Sequence, residues 1–95
     1  MRGLPTGRCE VRIQPAALRA LTERLSDVVV AAVLHFFAGP LAEHPLSVGQ
    51  PLTGPFTGCL GARRGTYRVI YLVDVESRTV QVLDIDHRST GYQRH

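Results

Sequence analysis

The sequence predicts an α+β domain ordered β-α-α-β-β-β, with two N-terminal helices packed on a small, mainly antiparallel sheet. Three observations carry that prediction. An apolar/polar alternation opens the chain. Two segments with helical spacing and helix-start signals follow. Three β-like runs with very short connections close it. The 95 residues suffice for one domain and not for two. Residues 1–8, with Gly3, Pro5 and Gly7, read as a flexible lead-in, and residues 9–95 as the single domain.

Cys9, Val11 and Ile13 alternate with Glu10, Arg12 and Gln14, which predicts a half-buried strand over 9–14. Pro15 suits the first turn of a helix. Ala17, Leu18, Leu21 and Leu25 then recur at helical spacing, so 15–25 is an amphipathic helix. Ser26 is a good N-cap, and Asp27 puts a negative charge in the first turn. A second helix runs from 27 to at least 38 and is apolar almost all round. Its four valines favour a strand by propensity, but the cap and the length of the run decide for helix. Gly39-Pro40 ends or kinks it, with 41–43 able to continue beyond.

Pro45, Gly49, Pro51, Gly54, Pro55 and Gly58 mark 44–58 as a loop. The rest is β. A strand over 59–64, a tight turn at Gly65-Thr66, a long strand over 66–75, a turn at 76–78 and a strand over 79–86 make an antiparallel meander. A polar tail begins at Ser89. On the middle strand Tyr67, Val69, Tyr71 and Val73 share one face, and Arg68, Ile70, Leu72 and Asp74 the other. The helices cover one face; the face carrying Arg68 is the candidate working face. Strict alternation on the last strand groups Val80, Val82, Asp84, Asp86 and Arg88 against Gln81, Leu83, Ile85 and His87.

Composition narrows the chemistry. The net charge is +3, and all 11 basic residues are arginine. Without lysine, no amine can act as base or Schiff-base former, and any phosphate must be met by guanidinium forks. The modest charge permits a nucleic-acid partner without demanding one. Cys9 and Cys59 form no CxxC pair, no Cys/His cluster has zinc spacing, and no cofactor is called for. They read as buried or half-buried strand thiols. No apolar signal region follows Met1, and the longest apolar stretch, 28–34, is too short to span a bilayer. A cytoplasmic protein with no membrane partner is expected.

Singly, the polar residues of the β half are ordinary. A strand arginine such as Arg68 pairs with an acid, here Asp84 or Asp86, and Arg63 and Arg64 beside a turn are usual surface residues. Together, Arg68, His87, Arg88 and Tyr92 on one sheet can neutralise a phosphate and move a proton. Metal-free RNA cleavage needs such a set. A base takes the 2′-OH proton, cationic donors stabilise the phosphorane, and an acid protonates the leaving 5′-oxygen. The 2′-OH restricts this chemistry to RNA.

The stretch Ala62-Arg63-Arg64-Gly65-Thr66-Tyr67-Arg68-Val69-Ile70-Tyr71 and the group Asp86-His87-Arg88 with Tyr92 resemble the RelE family of the RelE/ParE toxin superfamily. The segments 39–45 and 49–52 resemble that family's helix-to-loop region, and the likeness runs from about residue 11 to residue 92. It implies two helices on a small antiparallel sheet and a toxin of a type II toxin–antitoxin system. Such a toxin is a ribosome-dependent endoribonuclease that cuts mRNA in the A site and inhibits translation, held inactive by a cognate antitoxin in a hetero-oligomer. By the resemblance, Arg68 and Arg88 stabilise the phosphate, and His87 and Tyr92 are rival proton-transfer groups. Arg63 and Arg64 are RNA-binding candidates. The lysines that some members carry on the strand before the turn are absent; Cys59 and Gly61 stand about there, and Arg63 is the nearest basic residue. Two alternatives stay open: a DNA gyrase inhibitor of the ParE type, and a catalytically inactive antitoxin-binding module.

Overall fold

A computed structural model of the chain describes residues 8–87. β1 (Glu10–Ile13) leads into α1 (Pro15–Arg19) and α2 (Asp27–Phe36). β2 (Gln50–Pro51), β3 (Leu60–Arg64), β4 (Tyr67–Asp74) and β5 (Thr79–His87) follow. All five strands form one sheet in the order β1-β5-β4-β3-β2. β2 to β5 are antiparallel neighbours, whereas β1 lies parallel to β5, delivered there by the two helices. The mainly antiparallel α+β architecture is the one the sequence predicts.

One expectation needs correction. Residues 44–58 are not loop throughout: they supply β2 and a 3-10 turn, Gly54–Phe56. A two-residue strand containing proline has no periodicity to read, and proline suits a sheet edge. Arg8 stands at the end of the expected lead-in. Its guanidinium donates to Glu43 Oε2 at 2.9 Å and to the Ala38 carbonyl at 2.7 Å. Residues 1–7, like the tail from 88 onward, lie outside the described residues.

Pro15 opens α1 as expected. The buried stripe is Ala17, Ala20 and Leu21, while Leu18 is half exposed. Alanines line the contact because α1 packs directly against β5, and small side chains let the backbones approach. After Arg19 the helix widens into a π-helical turn, Ala20–Arg24, closed by the Leu25 amide on the Ala20 carbonyl at 3.1 Å. Ser26 caps α2, its hydroxyl accepting from the Val29 amide. Past Phe36 a second π-helical turn, Phe37–Leu41, contains Pro40. Proline cannot donate four residues back and its ring crowds the preceding turn; the wider turn absorbs both effects. The kink expected at Gly39-Pro40 therefore takes this form, and Ala42 keeps helical backbone angles. Among the described residues no helix is long and apolar enough to cross a membrane.

One sheet face packs on the helices. Ala62, Val69, Tyr71, Val80, Val82 and Ile85 meet Ala17, Leu21, Val33, Phe36 and Leu41 in a single core. Strict alternation would not put Val82 and Ile85 on the same face. The pairing shows how they get there: Ile70 faces Asp84 but Tyr71 faces Val82, so Leu83 is an extra residue on β5. This β-bulge reverses the alternation. Val80 and Val82 point to the core before it, Ile85 and His87 after it. Asp84 and Asp86 turn to the opposite face, beside Ile70 and Arg68.

Candidate functional site

The face away from the helices carries a row of charge across three strands. Arg63 on β3 is the direct cross-strand partner of Arg68 on β4, and Arg68 is the partner of Asp86 on β5. Like charges directly opposite on a sheet repel. The Arg68 guanidinium donates to Asp86 Oδ2 at 3.1 Å, which offsets one of the two positive charges. Among the described residues the Arg63 charge is left over. Asp84, the other acid considered for Arg68, is engaged elsewhere: it accepts from the Ile85 amide at 2.8 Å and pairs with Arg24 at 3.7 Å. The row lines a cleft together with Gly65, Thr66 and Tyr67.

The β3–β4 hairpin fixes this geometry. Gly65 adopts a φ of +61°, a left-handed conformation that glycine takes without strain, and this allows a two-residue turn. With the turn set, pairing fixes Arg63 opposite Arg68 and Arg64 opposite Tyr67. The two neighbouring arginines are thereby separated. Arg64 points to the helix side, its guanidinium 4.7 Å from the centre of the Phe36 ring. Arg63 alone joins Arg68.

His87 is the cross-strand partner of Tyr67, so it stands on the helix side of the sheet, at the end of β5. Its Nε2 lies 3.1 Å from Thr66 Oγ1 in the hairpin turn. His87 and Arg68 thus share one sheet but not one face; both are next to the Gly65-Thr66 turn, at the same end of the sheet. Arg88 and Tyr92 lie outside the described residues.

Two tyrosines support the site from beneath. Burial raises the Tyr67 pKa above the usual tyrosine value, with Arg64 opposing; its hydroxyl faces the Ala32 carbonyl at 3.5 Å. Tyr71 is fully buried, and burial pushes its pKa up to about 12. Its hydroxyl donates to the Pro45 carbonyl at 2.6 Å. Gly49 makes room for that hydroxyl: a Cβ there would collide with it. Both phenols are therefore neutral structural groups at physiological pH.

Sequence reasoning passed over Thr66, treating it as a turn residue, and treated Asp86 only as one of two ordinary partners for Arg68. It also passed over Gln50, whose strand it did not find. The Asp-x-Asp spacing before His87 was the available signal for the acidic side of the row, but the bulge that turns both acids to the face of Arg68 has no signature in alternation.

A family model described as the ParE toxin of the type II toxin–antitoxin system parDE matches residues 11–92. Toxin RelG of Mycobacterium tuberculosis is 44% identical over 84 residues, 88% of this chain and 95% of that protein. Toxin RelE of the same organism is 39% identical over 83 residues, 87% of this chain and 84% of its own length. Among solved structures, the toxin–antitoxin complex RelBE2 of Mycobacterium tuberculosis contains a chain that superposes with a TM-score of 0.81 at 43% identity. The match covers 85% of this chain and 99% of that one.

Proposed function

The chain belongs to the RelE/ParE superfamily of toxins from type II toxin–antitoxin systems, and from that premise we propose that it is a metal-independent endoribonuclease cutting mRNA in the ribosomal A site. The observation that carries this reading is the Arg63–Arg68–Asp86 row. A sheet that sets two arginines face to face and neutralises only one of them is arranged for an anion and not for stability. A phosphodiester is the anion that guanidinium forks match best. The named relatives, RelG and RelE, favour RNA over gyrase as the target.

In the reaction the 2′-oxygen attacks the adjacent phosphorus, forming the O2′–P bond while the P–O5′ bond breaks. The products are a 2′,3′-cyclic phosphate and a 5′-hydroxyl. Arg68 stabilises the charge that builds on the phosphorane, and Arg63 binds the RNA strand beside it. Arg88 is the second stabilising arginine. His87 and Tyr92 are the two candidates for proton transfer. Thr66, 3.1 Å from His87 Nε2, orients the imidazole ring. A cognate antitoxin is the partner that restrains the activity; the similar RelBE2 structure is itself a toxin–antitoxin complex.

The test uses purified toxin on programmed ribosomes. Arg68→Ala should lower the cleavage rate by about 10²–10³, the usual loss for one preorganised donor, with an unchanged circular-dichroism spectrum. Arg78→Ala, in the β4–β5 turn, should cut at the wild-type rate. Messages with a 2′-deoxy nucleotide at the scissile position should stay whole. Intact mRNA together with arrested gyrase supercoiling would replace this reading with the ParE-type one.

A further inference from the structure

Two clefts meet at the Arg63–Arg68 pair. One runs toward the hairpin turn and Asp86 and belongs to the site above. The other runs toward β2 and is walled by Val48, Gln50, Leu52 and Gly61. Gln50 pairs with Gly61, and Gly61 with Ile70, so this second row stands two residues along the strands from Arg63 and Arg68. At ~3.3 Å per residue the rows are about 6.6 Å apart, which is the reach from a phosphate to the base of its own nucleotide.

The walls of the second cleft suit a base. Gly61 has no side chain, and Leu52 lies over it: a Cβ there would stand 2.9 Å from Leu52 Cδ2. Leu52 and Val48 thus present an apolar shelf beside the guanidinium pair. Gln50 is exposed on the same face, and its side-chain amide makes no hydrogen bond to another described residue. An amide carries donors and an acceptor on one planar group, the combination that reads the edge of an unstacked base. We propose that this cleft is the base subsite for the nucleotide flanking the cleaved phosphate, and that Gln50 sets the base preference. The proposal rests on the endoribonuclease reading of the arginine row. On this proposal the strand before the turn, where by the family resemblance some members carry lysines about the place of Cys59 and Gly61, meets RNA through the base instead of the backbone.

Gln50→Ala and wild type should be compared on ribosomes programmed with all codons, the cut ends being mapped by sequencing. The variant should cut at an overall rate within a few-fold of wild type, while the preference at one codon position flattens by about 10-fold or more, the discrimination of one good amide–base contact. A second arm titrates short single-stranded RNAs, 2′-deoxy at the scissile position, against the free toxin. Wild type should bind them with a base preference that Gln50→Ala flattens. Cleavage by Gln50→Ala with an unchanged preference at every position overturns the subsite. If wild type binds with a Gln50-dependent preference yet leaves mRNA whole, the endoribonuclease reading fails and the subsite stands. If it neither cuts nor binds with a preference, both fail.

Discussion

Asp86 holds a position that an isolated view of Arg68 would miss. Its carboxylate occupies the guanidinium that, on the proposed reading, meets the phosphate, yet it also fixes where that guanidinium points. Both side chains are partly exposed, so the pair contributes under about 1 kcal/mol to stability. On the proposed reading its effect belongs to catalysis. Asp86→Ala should melt near the wild-type temperature and bind RNA more tightly, because the row then carries an additional net positive charge. It should turn over more slowly, because Arg68 loses its alignment. Steady-state kinetics read this as a lower KM with a lower kcat; a fall in kcat alone would deny the competition. Tyr71 gives a test of a different kind. Its unfolded-state pKa is about 10 and its folded value about 12. Below pH 10 both states hold the proton and its contribution is complete. Between pH 10 and 12 only the unfolded state releases the proton, so stability falls as pH rises. Tyr71→Phe should start about 0.5–1.5 kcal/mol less stable, for the lost bond to Pro45, and should lose stability less steeply above pH 10. Parallel denaturation midpoints of the two proteins from pH 8 to 11.5 would contradict that account.

At the level of elements, the bulge in β5 does more than any single contact to build the site. A nine-residue strand, Thr79–His87, must send Val80 and Val82 to the core at one end and Asp84 and Asp86 to the working face at the other. The bulge at Leu83 makes both possible. Deleting Leu83 should leave Tyr71–Val82 and Ile70–Asp84 as consecutive pairs of a regular ladder, with every side chain on its present face. Deleting Ile85 instead should turn Asp84 or Asp86 into the apolar core, where an unpaired carboxylate is not tolerated. The first product should keep the dispersed amide spectrum of wild type; the second should be unfolded or molten. The same bulge marks where the sequence stopped being legible. Caps, proline at the first helical turn and short β connections are local signals, and they located both helices and the three-strand meander. The face of Arg68 followed from alternation on β4, which is regular. The side chains opposite it did not, because a bulge is set by what the core accepts and not by residue type. Likewise β2 is held by its pairing to β3, and α1 turns Ala17 and Ala20 inward because of the strand it lies on. Each of these depends on contacts distant in sequence.

For the whole molecule, size and surface point the same way. A 95-residue chain hides roughly 60–65% of its unfolded surface, so its stability is modest and an added interface counts heavily. The helices expose apolar side chains to solvent: Val28 at 80%, Leu18 at 50% and Leu34 at 45%. α2 lies on the sheet face opposite the arginine row, so a partner seated on it leaves Arg63 and Arg68 uncovered by direct contact. Such a partner would restrain the toxin by excluding it from the ribosome, or by sending a further segment around the sheet edge. The antitoxin expected for this family is the natural occupant, and its gene is expected beside that of the toxin. At a hundredfold excess over Kd, binding should add about 2.7 kcal/mol, which for a domain of this size raises Tm by roughly 10–20 °C. Differential scanning fluorimetry of the chain alone and with the product of the adjacent small reading frame measures this directly. Replacing both Val28 and Leu34 by aspartate should abolish most of the gain while cleavage by the free toxin continues, since neither residue shares a face with Arg68. A Tm indifferent to the neighbouring gene product would remove the antitoxin from the account. A gain that survives the double aspartate variant would move its seat off α2 and onto the sheet.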